Sequence, residues 1–98
     1  MSTDRRTEAR ALVLKIAADA EALTHSEARD ALIAECRALA EAIRTFHLEG
    51  IRFRMYNVDR HLSRGTVALA PETHAAFAEA RRALEESGFH TRSHQAPT

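Results

Sequence analysis

The chain has 98 residues, with 14 Lys plus Arg balanced by 14 Asp plus Glu and a single cysteine. Such a length accommodates one domain with a limited core, and zero formal net charge leaves no overall field to draw in nucleic acid or an anionic membrane. One cysteine excludes an intrachain disulfide, no stretch approaches the roughly 20 apolar residues of a membrane span, and MSTDRRTEAR lacks the apolar run of a signal peptide, so the expected setting is cytoplasmic.

Leu, Ile, Val and Phe together number 20, near the low edge for a globule, and Ala supplies another 20. Helices built this way can approach closely but contribute little apolar area each, which leads to the expectation of a partner surface. Charge is uneven along the chain. Residues 1–49 carry seven basic and nine acidic side chains, residues 50–70 four and one, and residues 71–98 three and four, so only the middle is basic.

From about Arg5, the positions Ala9, Leu12, Val13, Ile16, Ala17, Ala20 and Leu23 share one face at helical spacing, which predicts a helix over residues 5–23. Leu14 lies off that face and needs a separate neighbour. In residues 27–49, Leu32, Cys36, Leu39, Ile43 and Phe46 recur at alternating steps of four and three, the stripe of a second amphipathic helix. At roughly 100° per residue the two stripes lie about 140° apart, so one unbroken helix would turn them to different sides. Thr24 and Glu27 have capping-box spacing, with Ser26 as a competing cap, and a short connection there predicts an antiparallel αα-hairpin. Gly50 is placed to end the second helix in a left-handed conformation.

In GIRFRMYNV, Ile51, Phe53 and Met55 alternate with Arg52, Arg54 and Tyr56, the period of a strand with one dry and one basic face. Ile51, Met55, Val58 and Leu62 also match a helix. Thr66 to Ala70, bounded by Gly65 and Pro71, reads as a strand that needs a partner, and residues 51–57 are the candidate, which selects a β-hairpin. Pro71 suits the first position of a third helix over residues 71–87, with Phe77, Ala80 and Leu84 on its apolar face and Ser87-Gly88-Phe89 as its stop.

The run TVALAPETHAAFAEARRALEESG resembles the start of ribbon-helix-helix antitoxins and repressors, in which a short strand leads into a Pro-Glu-Thr helix opening. The resemblance covers about a quarter of the chain. Thr66, Ala68 and Ala70 lack the polar reach of the strand side chains that enter DNA in those domains, so the similarity is one of local strand-helix grammar and no residue roles are carried over.

The expected fold is therefore an α-rich α+β domain over residues 1–89, in the order α-α-β-β-α, with a flexible tail over residues 90–98. Two helices with one stripe each and a weak third helix leave the seam of Leu32, Cys36, Leu39, Ile43 and Phe46 incompletely covered, which predicts a helical-bundle homodimer through those residues.

Candidate chemistry centres on Arg52, Arg54, Tyr56, Arg60 and Arg64, where arginines interleaved with aromatics suit phosphate contact and base stacking, as in sheet-type RNA binders. The competing reading is a solvated strand face or arginines paired with the acidic helices. Six histidines, His25, His47, His61, His74, His90 and His94, are scattered with neither CxxC nor HExxH, and Cys36 sits within an apolar stripe rather than in the electropositive setting of a reactive thiolate. Glu35 and Asp19 flank stripes and suit inter-helix ion pairs in an assembly rather than a catalytic dyad. The function expected is a small non-enzymatic interaction or regulatory module, homo-oligomeric and binding a protein partner, with no cofactor. Nucleic-acid binding through residues 51–64 is one alternative, and a small enzyme or metal site at a dimer interface using His47, His61 or His74 is the other.

Overall fold

The computed structural model describes residues 4–89, which form four α-helices: α1 (Arg5–Glu21), α2 (Glu27–Arg44), α3 (Leu48–Arg64) and α4 (Pro71–Glu86). No strand occurs among the described residues, so the expected α+β class is corrected to all-α. The expected tail, with His90 and His94, lies outside them.

Helix α1 starts where the Asp4 carboxylate accepts from the Thr7 N–H at 2.9 Å. At α2 the cap is Ser26, whose hydroxyl oxygen accepts from the Arg29 N–H at 3.0 Å, rather than the Thr24–Glu27 box. The larger correction is at the other end of α2. It stops at Arg44 instead of running to residue 49, because Phe46 adopts a left-handed conformation with φ 59°. The His47 N–H donates to the Ala42 carbonyl at 2.9 Å and the Phe46 N–H to the Ile43 carbonyl at 3.3 Å, the paired bonds of a Schellman closure.

Three residues later the chain is helical again. His47 caps α3, its Nδ1 accepting from the Gly50 N–H at 2.8 Å. Gly50 therefore sits inside the first turn of α3 instead of closing α2. Its lack of a side chain serves close approach, since a Cβ there would lie 2.7 Å from His47 Nδ1.

The expected strand over residues 51–57 is part of α3. Ile51, Met55, Val58 and Leu62, the helical match within that stretch, are its buried face. Alternation over seven residues coincided with one face of a helix whose pattern continues to Leu62, and Gly65 at φ 68° ends it. With residues 51–57 helical, the expected strand at 66–70 has nothing to pair with. It is an irregular connection in which Val67 is buried and the Leu69 N–H donates back to the Val67 carbonyl at 3.0 Å. Pro71 opens α4 as expected, and Gly88 (φ 96°) closes it, with the Phe89 N–H donating to Leu84 at 2.9 Å.

Helix α1 packs on both α2 and α4, and α2 packs on α3. Side-chain contacts give the directions. Arg6 at the start of α1 reaches Ile43 at the end of α2, Arg5 reaches Glu86 at the end of α4, and Glu35 of α2 meets Arg54 and Asn57 of α3. Successive helices are thus antiparallel. The α1–α2 and α3–α4 connections share one end of the molecule, and the α2–α3 turn occupies the other. Asp59 of α3 and the buried Arg81 of α4 pair at 3.5 Å on the remaining side.

The core centres on Ile16, Leu32, Leu39, Ile43, Ile51, Met55 and Leu84, all fully buried. Alanines at 9, 17, 20, 40, 76, 80 and 83 let the helices approach. Leu32, Cys36, Leu39 and Ile43, expected at a dimer interface, are therefore interior residues of a single chain. The cover that a second copy was expected to supply comes from α3, which the β-hairpin expectation had removed from the helical core. Only Phe46 of that set is on the surface. Leu14, which needed a neighbour, is partly exposed.

Two measurements check this account. Leu39→Ala is expected to lower unfolding free energy by about 2–5 kcal/mol in denaturant titrations, the range for a fully enclosed leucine. The second concerns Asp19, whose carboxylate accepts from the buried Thr73 hydroxyl at 2.7 Å and from Lys15 at 3.1 Å. Those bonds, the Thr73 bond foremost, hold the Asp19 carboxyl below its ordinary value. A carboxylate depressed in the folded state stabilises fully above its ordinary value of about 3.9, and that contribution is lost as pH falls through the folded value. Melting temperature should therefore drop on acidification from about pH 6 to pH 3, and Thr73→Val should drop less steeply over the same interval.

Candidate interaction surface

The described residues expose four large hydrophobic side chains, and three of them lie within residues 46–53: Phe46 at 62 % exposure, Leu48 at 46 % and Phe53 at 41 %. Local folding explains why. The left-handed residue that closes α2 points its side chain away from the helix it ends, Leu48 is the first residue of α3, and Phe53 falls opposite the Ile51–Met55–Val58–Leu62 face at 100° per residue.

Phe46 is held from two sides. The Arg6 guanidinium lies 4.0 Å from its ring centroid while the same group donates to the Ile43 carbonyl at 3.0 Å, a C-terminal carbonyl of α2. Half-buried Phe89, brought there by the closure of α4, lies 6.4 Å away centroid to centroid, with the rings tilted by 38°. The two helices that end at this pole close in the same way, but α4 does so with glycine and α2 with phenylalanine. For a residue with a Cβ the left-handed conformation costs roughly 1–2 kcal/mol and persists only when its surroundings fix it. An exposed cation–π contact returns about 0.5–1 kcal/mol.

Of the five residues expected to form a basic-aromatic face, the helix keeps Arg52, Tyr56, Arg60 and Arg64 at successive four-residue steps along one side and turns Arg54 away. Arg52 pairs with Glu49 at 3.3 Å along α3. Arg54 turns toward α2 and donates to Glu35 at 3.1 Å, where Asn57 also donates at 3.2 Å. Arg60 lies over the Tyr56 ring at 5.6 Å, and Arg64 is exposed in the last turn. A strand would have put Arg52, Arg54 and Tyr56 on one side; the helix directs Arg54 to a different neighbour. Glu35 and Asp19 both join helices within one chain, Asp19 through Thr73 of α4.

Cys36 is fully buried, and burial, followed by the charge of Glu35, pushes its thiol up to about 12, far from a reactive thiolate. His25 contacts Asp30 at 2.8 Å, His47 caps α3, His61 is partly buried and His74 is exposed. The described residues contain no group of three or more His, Cys, Asp or Glu side chains placed to hold a metal ion.

No family model, no curated protein and no solved structure matches this chain. The surface has to be judged on its own chemistry. Sequence patterning did not single out Leu48 or the conformation of Phe46, and it put Phe53 on a dry strand face, because each depends on where α2 stops. The available signal was the five-residue step from Phe46 to Ile51, which breaks the spacing of the α2 stripe.

Replacing Phe46 with Gly removes the left-handed penalty together with the Arg6 and Phe89 contacts. Phe46→Gly should leave the unfolding free energy unchanged or raise it by up to about 1 kcal/mol, measured by denaturant titration. A loss of more than about 1 kcal/mol would show that the ring is chiefly a packing element.

Proposed function

We propose that this chain is a non-enzymatic interaction module that docks an apolar segment of a protein partner on the corner between α2 and α3. The observation that carries the proposal is Phe46, a mostly exposed aromatic held in a conformation that glycine adopts without strain. Leu48 and Phe53, also exposed, follow it within seven residues, and Arg6 and Arg54 lie against the rings of Phe46 and Phe53. Aromatic side chains with arginine dominate the energetic centres of protein interfaces, and clustered exposed apolar groups mark contact sites. Homo-oligomerisation, if it occurs through this corner, would use Phe46 and Leu48 rather than the enclosed Leu32 to Ile43 seam.

Nucleic-acid binding draws less support. Arg52 and Arg54 are engaged with Glu49 and Glu35, so an extended ligand would have to compete with those carboxylates.

The test uses wild type, Phe46→Gly with Leu48→Ser, and Leu14→Ser as a control on α1. Light scattering gives each protein's mass, and affinity capture compares what each retains. Specific loss in the double variant of either self-association or a partner that Leu14→Ser keeps is the expected result. Identical behaviour of all three proteins in both measurements would remove the proposal.

A further inference from the structure

At the opposite end of the molecule, the α1–α2 and α3–α4 connections enclose a half-open cavity of about 240 Å³. Its lining includes the apolar Leu23 and Val67 and three hydroxyl-bearing residues, Thr24, Ser26 and Thr66. Arg29, in the first turn of α2, is its one charged residue.

Arg29 combines burial with a lack of side-chain hydrogen bonds among the described residues, and it shares an unpartnered enclosed Nε with Arg10 and Arg52. Its side chain is only 18 % exposed, yet its guanidinium makes no hydrogen bond with any described residue, and its enclosed Nε has no acceptor. Its nearest carboxylate oxygen, on Asp30, is 4.0 Å away, and Asp30 is itself engaged by His25 at 2.8 Å. Glu21, the next carboxylate on this side, pairs with Arg37. A largely buried guanidinium whose one counter-charge lies at 4.0 Å and is shared with a histidine is incompletely compensated, and an anion that meets its exposed edge would complete the compensation. What remains exposed of the side chain lines this cavity and a shallower depression beside it.

We infer that this cavity is a binding site for a small monocarboxylate with a short aliphatic tail. One planar guanidinium matches one carboxylate, whose two oxygens accept from it together. The Ser26 oxygen already accepts from the Arg29 N–H, so its own O–H proton is free to be donated, and the Thr24 and Thr66 hydroxyls add two donors. Leu23 and Val67 face the tail. The volume equals that of about eight water molecules at roughly 30 Å³ each, enough for an acid of four or so carbons. A phosphate dianion would bring a second charge with no second cation in the lining to meet it. The site is independent of the docking corner, which lies at the other pole.

The probe is sodium butyrate, titrated into the full chain by two-dimensional amide NMR at ionic strength held constant with sodium chloride, with acetate and inorganic phosphate as parallel arms. Saturable shifts confined to residues around Thr24, Ser26, Thr66 and Val67 are expected with butyrate, weaker ones with acetate, and none with chloride. Arg29→Leu, which replaces the guanidinium with an apolar group, should stay folded and bind butyrate about tenfold or more weakly. Ala68→Leu, at a position that also lines the cavity, should block binding while leaving Arg29 in place. Absence of saturation with butyrate, equal binding of phosphate, or undiminished binding in both variants would overturn the inference.

Discussion

Everything in this fold depends on a reversal of the chain within three residues, Thr45 to His47. If α2 continued through that point, the face of Ile51, Met55, Val58 and Leu62 would be carried away along the same axis and could not fold back on its neighbours. The left-handed residue at Phe46 stops the helix, the two Schellman bonds fix the direction of exit, and the imidazole of His47 restarts the next helix at once. The two helices can then lie side by side, and the Glu35 carboxylate collects donors from Arg54 and Asn57. With α3 in place the α2 stripe is enclosed. Without it, the same stripe would be a large apolar surface open to water, which is the situation the sequence suggested.

How far the fold was legible follows from which signals were local. The stripes of α1 and α2 and the Pro71 start of α4 rest on side-chain periodicity and one proline, and they survive, as does Ser26 as a cap. The α3 segment failed because period two and period 3.6 agree over a few residues: Ile51 and Met55 belong to both patterns. Val58 and Leu62 decide in favour of the helix, and a hairpin left both stranded in its loop. The two strand expectations stand or fall together, since a strand at 66–70 needs a partner and residues 51–57 are the segment that could supply it. The candidate basic face loses one member, Arg54, in the same way. Arg52 and Arg54 are neighbours on a strand but lie about 200° apart on a helix, so one follows Glu49 and the other crosses to Glu35.

The charged residues show why a neutral chain carries so many arginines. Arg5 alone meets Glu8 of its own helix and Glu79 and Glu86 of α4, joining the start of α1 to the end of α4, and these carboxylates hold its guanidinium firmly charged. Arg37 with Glu21 and Arg54 with Glu35 make comparable links between other helices. Pairs this exposed contribute little stability each. Their effect is on register: in a core rich in alanine, where short side chains interlock weakly, long forked side chains distinguish one axial alignment of two helices from its neighbours. Arg81 is the enclosed exception. It lies over Phe77 and faces Asp59, so it keeps a counter-charge on the side where α3 and α4 meet.

The two poles of the molecule separate what the fold requires from what it does not. Closing α2 requires a left-handed residue, and α4 shows that this chain closes a helix of similar length with glycine. The same backbone hydrogen bonds form in both cases, so the phenyl ring at 46 is not needed to make the turn. Nor does it fill the core, since most of it faces solvent and its neighbours Arg6 and Phe89 lie at the rim. Arg29 at the other pole has the same logic with the sign reversed: a charge is enclosed although the Ser26 cap and the α2 helix need only its backbone N–H. Both residues depart from what local stability would select, in one case by exposing an apolar group and in the other by enclosing a charged one. Each departure has a physical complement, an apolar surface for Phe46 and an anion for Arg29, and the described residues supply each only in part, through Phe89 and through Asp30 at 4.0 Å.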